Sequence, residues 1–166
     1  MVEIEKLQEK LGEVLGLEIA AQKAVEELGS KDLLDEDGML TQLQKMQTQA
    51  GNHQSKLENT IKNLTELDGS ELDSTKIQEV SQETAKKCSK MMETYLGDDP
   101  DSSEAIEFLC LAEGGKVTHY EVVAAMAKGL KGKMNNKQFI TTVNSILREE
   151  KRHLALCTRL AKQAAK

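Results

Sequence analysis

Residues 3–28 read EIEKLQEKLGEVLGLEIAAQKAVEEL, and the spacing of their apolar positions decides the fold class. Ile4, Leu7, Leu11 and Val14, followed by Ala21, Val25 and Leu28, recur at steps built from three and four residues. Side chains at those intervals return to one side of an α-helix, and a stripe of this width is the seam of a helical bundle. Gly29 ends the segment, and residues 30–37 supply a loop with N-cap candidates for a second helix of about 30 residues.

The same period continues along the chain. The second helix places Met39, Leu43, Met46, Ala50, His53, Leu57, Thr60, Leu64 and Leu67 on one face, and Asp68-Gly69-Ser70 ends it. A third helix over 75–96 aligns Ile77, Val80, Thr84, Met91 and Tyr95. The break at 97–101 is the clearest in the sequence, because Pro100 and the residue before it both disfavour helix continuation. A fourth segment, about 103–130, is apolar around much of its circumference, which predicts the most buried helix, with Gly114-Gly115 weakening its middle. Gly129, Gly132 and Asn135-Asn136 form the last turn. The final helix, about 136–164, carries Phe139, Val143, Ile146, Glu150, His153, Cys157, Leu160 and Ala164 on its seam. The expected architecture is all-α: an antiparallel four-helix bundle core with a fifth helix, forming one domain over 1–166 without a detectable internal repeat.

Composition sets the function classes. The 166 residues carry 22 basic and 28 acidic side chains, a formal charge of -6, with no basic stripe to hold phosphates, so nucleic acid is not an expected partner. No run of about 18 apolar residues spans a membrane, and the N-terminus lacks the pattern of an export signal. Cys88, Cys110 and Cys157 are odd in number and widely spaced, as reduced thiols of a cytoplasmic protein are. No thiol has a His at a spacing suited to nucleophilic catalysis.

Chemistry enters where the seams turn polar near their midpoints: Glu18 in the first helix, His53 in the second, Glu150 and His153 in the last. Buried carboxylates and imidazoles need a partner or a cation, so a polar layer repeated across helices points to one shared site. Glu150-x-x-His153 places a carboxylate and an imidazole on one helical face, a spacing that chelates in di-iron bundles. The competing reading of this pair is a salt bridge, and that of His53 is an imidazole hydrogen-bonded in the core. Glu113, His119 and Glu121 are open to both readings.

Two stretches carry a family likeness. Residues 116–121, KVTHYE, followed about 30 residues later by 147–151, LREEK, resemble the YciF-like stress-protein branch of the ferritin-like superfamily, which typically shows VEHYE and LEEEK. The likeness extends to 20–23 and His53 and implies a ferritin-like bundle, a di-iron-type metal site and a stress-related role. Carried across, the family's helix 1 Glu falls on Gln22, its helix 2 pair on Ala50 and His53, and its helix 4 Glu on Thr118, so three expected carboxylates are absent. Glu18 and Glu121, one turn away, are the substitutes this alignment suggests. The expected ligands are therefore His53, Glu150 and His153, with Glu18 and Glu121, holding iron, manganese or zinc. The alternative is a metal-free scaffold or interaction module, with a homodimer formed through the first two helices as the partner to look for.

Overall fold

A computed structural model describes residues 2–34, 36, 38–130 and 136–166. Five helices follow one another: α1 (Ile4–Ser30), α2 (Met39–Thr65), α3 (Ser74–Leu96), α4 (Ser102–Gly129) and α5 (Asn136–Ala164). The fold is all-α, with no strand among the described residues. Asp35, Asp37, Gly132 and Asn135, all within expected turns, lie outside the described residues. The boundaries follow local chemistry. Asp73 caps α3 by accepting from the Thr75 N–H at 2.9 Å, and Gly97, at φ 66°, closes it. After Pro100, Asp101 and Glu104 form a reciprocal capping box that starts α4.

Contacts fix how the helices run. Glu18 meets His53 of α2 and Lys116 of α4, while Gln22 meets Gln47 and Glu13 meets His119, so α1 is antiparallel to both neighbours. Gln49 and His53 of α2 reach His153 and Glu149 of α5, and Glu113 and Glu121 of α4 face His153 and Lys151, so α5 is antiparallel to α2 and α4. α1, α2, α5 and α4 thus form a ring around a common interior. α3 lies outside this ring, runs parallel to α1 and packs along it.

That packing is unusually close. A Cβ at Gly16 would sit 2.5 Å from the Ser81 carbonyl oxygen and 2.8 Å from Thr84 Cβ, and one at Gly12 only 2.6 Å from Val80 Cβ. Backbone cannot yield without displacing α3. Gly16→Ala is therefore expected to destabilise the fold by about 1–3 kcal/mol through overpacking, despite a helix-propensity gain of up to about 1 kcal/mol. Chemical denaturation checks this, and a variant as stable as the parent would show that α1 and α3 are not in backbone contact.

The core divides into two apolar clusters. One gathers Leu7, Leu11, Leu57, Tyr120, Phe139 and Ile146; the other gathers Leu28, Met39, Leu43, Ile106, Cys157 and Leu160. Each fully buried Leu contributes about 1.5–3 kcal/mol of transfer free energy. Between the two clusters lies a layer of charged side chains. Two expectations about faces need correction. On α3, Met91 and Tyr95 are exposed, and Ile77, Ser81, Ala85, Met92 and Leu96 turn inward, because α3 buries only the narrow face that meets the ring. On α4, Leu111 and Val122 point outward while Glu113 and Lys116 are buried, so the helix is not apolar all round its buried face; it also passes through Gly114-Gly115 unbroken.

Candidate metal centre

Every helix of the ring sends side chains into the charged layer. Glu18 comes from α1, His53 from α2, Glu113, Lys116 and Tyr120 from α4, and Glu150 and His153 from α5, all of them buried. On α4 the three positions continue a face through Ile106, Leu109, Glu113, Lys116, Tyr120, Val123 and Ala127, at steps of three and four. The two apolar clusters flanking the layer keep it dry, so each charge must be met by another side chain.

Lys116 is the centre of the layer. Its Nζ lies 3.1 Å from Glu150 Oε2, 3.2 Å from Glu18 Oε1 and 3.5 Å from Glu113 Oε1. His53 presents Nδ1 to Glu150 Oε1 at 2.9 Å and to Glu18 Oε2 at 3.4 Å, while its Nε2 is held by Glu149 at 2.5 Å. His153 repeats this pattern. Its Nε2 faces the Gln49 Oε1 at 2.5 Å, and its Nδ1 turns inward, 3.6 Å from Glu150 Oε2 and 3.9 Å from Glu113 Oε2. The two imidazoles stack with centroids 5.7 Å apart. Tyr120 donates its hydroxyl to Glu18 Oε1 at 3.1 Å.

Protonation follows from this crowding. Burial pushes the Glu113 carboxyl well above the usual carboxylate range, with Lys116 only partly opposing it. Burial likewise raises Glu18, to about 6, against the pull of Lys116 and His53. Burial also acts upward on Glu150, but Lys116 and the two imidazoles outweigh it and hold that carboxyl well below the ordinary range. His53 would be lowered by burial, yet its bond to Glu150 and the nearby Glu18 carboxylate raise it to about 10. Burial acts to lower Lys116 too, and the three carboxylates overcome that and keep it an ammonium. Three carboxyls this close do not all ionise together: Glu150 keeps its charge and Glu113 holds a proton. At neutral pH the charges of Lys116 and His53 then balance those of Glu18 and Glu150.

Two donor sets have atoms within 4.8 Å of one another: Glu18 with His53 and Glu150, and Glu113 with Glu150 and His153. The sets share Glu150 and differ in how well they are satisfied. In the first, His53 Nδ1 hydrogen-bonds Glu150 Oε1 and lies close to Glu18 Oε2 without bonding it. In the second, Glu113 Oε2, Glu150 Oε2 and His153 Nδ1 are all buried without a hydrogen-bond partner, as is Glu18 Oε2 beside them. The Glu150 oxygen is near Lys116 but off hydrogen-bonding geometry.

Of the residues expected from sequence, Glu18, His53, Glu150 and His153 come together here. Glu121 does not: it is on the surface, 2.9 Å from the Lys151 ammonium, because it lies next to Tyr120 in sequence and so about a quarter turn from the buried face. His119 is also outside the layer, between the Gly115 carbonyl and Glu13. Of the aligned positions of the resemblance, His53 is in the layer, whereas Gln22 bonds Gln54 at the α1–α2 edge and Thr118 is exposed. Glu113 takes the place expected of an α4 carboxylate. Lys116, Tyr120, Gln49 and Glu149 were not anticipated in the site. The i, i+3, i+7 spacing of Glu113, Lys116 and Tyr120 was the available signal. Compared with family models, curated proteins and solved structures, the chain matches none.

Proposed function

We propose that the protein is a divergent ferritin-like bundle that binds one divalent transition-metal ion between α4 and α5, through Glu113, Glu150 and His153. The observation that carries this reading is that each of these three residues has a buried acceptor atom without a partner, within a set whose donor atoms converge. The outer contacts agree. Both imidazoles turn Nδ1 inward and hold Nε2 on an oxygen from a neighbouring helix, as ligating histidines do when an outer partner fixes their tautomer. Imidazole with carboxylates suits iron, manganese and zinc, and the ring of four antiparallel helices supports the ferritin-like assignment and, through it, a stress-related role. Bound metal would supply charge compensation and a Lewis acid in a dry interior. Glu18 and His53 would then act as supports, with His53 holding Glu150 in place. Because binding must displace the Glu113 proton, occupancy rises with pH.

The test is elemental analysis after incubation with Zn(II), Mn(II) or Fe(II) and exhaustive dialysis. Stoichiometric metal is expected in the parent chain, lost in Glu113→Gln and His153→Ala and weakened in His53→Ala. The unfolding free energy should rise with metal, by about 2.7 kcal/mol at a hundredfold excess over Kd, and the unfolding midpoint with it. Equal metal in parent and His153→Ala rejects the site.

A second reading rests on Lys116, whose ammonium touches three carboxylates at once. In it the layer carries its own cation, and the bundle is a metal-free scaffold or interaction module. Parent protein that takes up no metal under any of these conditions supports it.

A further inference from the structure

An open groove of about 570 Å³ runs between α1 and α3 on the outside of the bundle, a volume suited to a small molecule. The two helices are parallel, in the register set where Gly12 meets Ile77 and Val80 and Gly16 meets Ser81 and Thr84. About one turn beyond Gly16 that register puts Ile19 level with Ala85, and about two turns beyond it puts Lys23 level with Lys90. Half-buried Ile19 and buried Ala85 give the groove an apolar floor, which the methylene stems of the surrounding lysines extend. The rim is basic. Lys23, Lys86, Lys87 and Lys90 line it against one acid, Glu83, which already lies 3.8 Å from the Lys87 ammonium. Lys23, Lys86 and Lys90 form no ion pair among the described residues. In a chain of formal charge -6 this groove is therefore locally positive.

We propose that this groove binds a medium-chain aliphatic carboxylate, its chain laid over Ile19 and Ala85 and its head held by Lys23 and Lys90. Charge complementarity selects the head: unpaired ammonium groups on both sides of the groove attract an anion and repel a cation. An ammonium offers donors on a flexible stem, so two of them can close on one carboxylate from opposite helices. The floor selects the body. A bare anion leaves Ile19 in water, whereas an alkyl chain covers it and adds the apolar part of the affinity. None of the groove's lining residues belongs to the buried charged layer, so this site is independent of the metal reading.

The test titrates isotope-labelled, full-length, metal-free protein with octanoate by NMR at physiological salt. Saturable shifts are expected at Ile19, Lys23, Ala85 and Lys90. Butyrate should bind at least about tenfold more weakly, because its shorter chain covers less of the floor. Octylammonium should also lose at least about tenfold, since attraction to the lysines becomes repulsion. Lys23→Glu combined with Lys90→Glu should weaken octanoate at least about tenfold, and both positions are exposed, so the fold is kept. Lys45→Glu combined with Lys56→Glu makes the same change of charge on exposed residues of α2 and should alter binding by less than about twofold, because salt screens distant charges. Absence of saturable shifts, shifts centred away from α1 and α3, butyrate or octylammonium binding as tightly as octanoate, or equal loss in the two double variants each overturns the proposal. Metal is absent throughout, so failure here leaves the metal assignment standing, and failure of the metal assay leaves the groove standing.

Discussion

Lys116→Met is expected to lower the stability of the metal-free protein by about 3–5 kcal/mol, the usual cost of removing one member of a buried ion pair. For a chain of this length that is a fall in Tm on the order of 10 °C. The reason is specific to the layer. The ammonium lies within 3.5 Å of three carboxylate oxygens, and only His53 remains to offset Glu18 and Glu150 once it is gone. The methionine fills much of the same volume, so lost packing contributes little. Adding Glu18→Gln to Lys116→Met removes a surplus negative charge and should recover part of the loss, a non-additivity expected of neighbours in one network. The same variant bears on function, because a divalent ion placed among Glu113, Glu150 and His153 no longer competes with a resident cation. Zn(II) should therefore stabilise Lys116→Met more than it stabilises the parent. A loss below about 1 kcal/mol would mean the ammonium is not held among the carboxylates.

Stability in chelator should also fall as pH rises from about 6.5 to about 10, by up to about 5 kcal/mol, and the slope should flatten in His53→Gln. The folded protein raises His53 from 6.5 to about 10 despite the opposing effect of burial, because Glu150 and Glu18 hold the imidazolium. A group raised in the folded state contributes fully below its unfolded value, and the contribution disappears as pH passes through the folded value. Glu18, raised to about 6, follows the same rule in a lower window, so its effect is spent before that of His53 begins to decline. Burial raises the thiols of Cys88, Cys110 and Cys157 from an ordinary value of 9.0, which also lowers stability, but only towards pH 9 and above. Glu113, held protonated well above the ordinary carboxylate range, adds a decline of its own over the interval from about pH 6.5 to about pH 8.5, so the part of the slope that disappears in His53→Gln is the part the imidazole contributes. Denaturant titrations across that interval check the claim. A parent curve that is flat there, or one matched by His53→Gln, would show that His53 is not an imidazolium held between two carboxylates.

Local periodicity made most of the helices legible. The three- and four-residue steps of residues 3–28 and 136–164 gave both helices and their buried faces, down to the placing of Glu18, Glu150 and His153 on the inward seam. Pro100 and the acidic residues around it marked the start of α4 because their effects act within one helical turn. α4 was harder, since apolar residues occur around its whole circumference and hide which phase faces the ring. The buried phase runs through Glu113, Lys116 and Tyr120, which is why the site's central cation was missed and Glu121 was preferred to Glu113, although the sequence left both open. On α3 the first part of the expected stripe, Ile77, Val80 and Thr84, does meet α1 at Gly12 and Gly16, but farther along Met91 and Tyr95 are exposed and Met92 and Leu96 turn inward instead.

The sequence by itself determined that the chain is helical, where its breaks fall, and that acids and imidazoles occur on seams, because these depend on spacing within a single helix. Tertiary structure alone decided which of those groups meet. The pairing of His53 with Glu149 and Glu150, of His153 with Gln49, and of Lys116 with carboxylates from two other helices joins residues as far as about a hundred positions apart. Their separation in space is set by the rotation and offset of packed helices, which no pattern along one helix encodes.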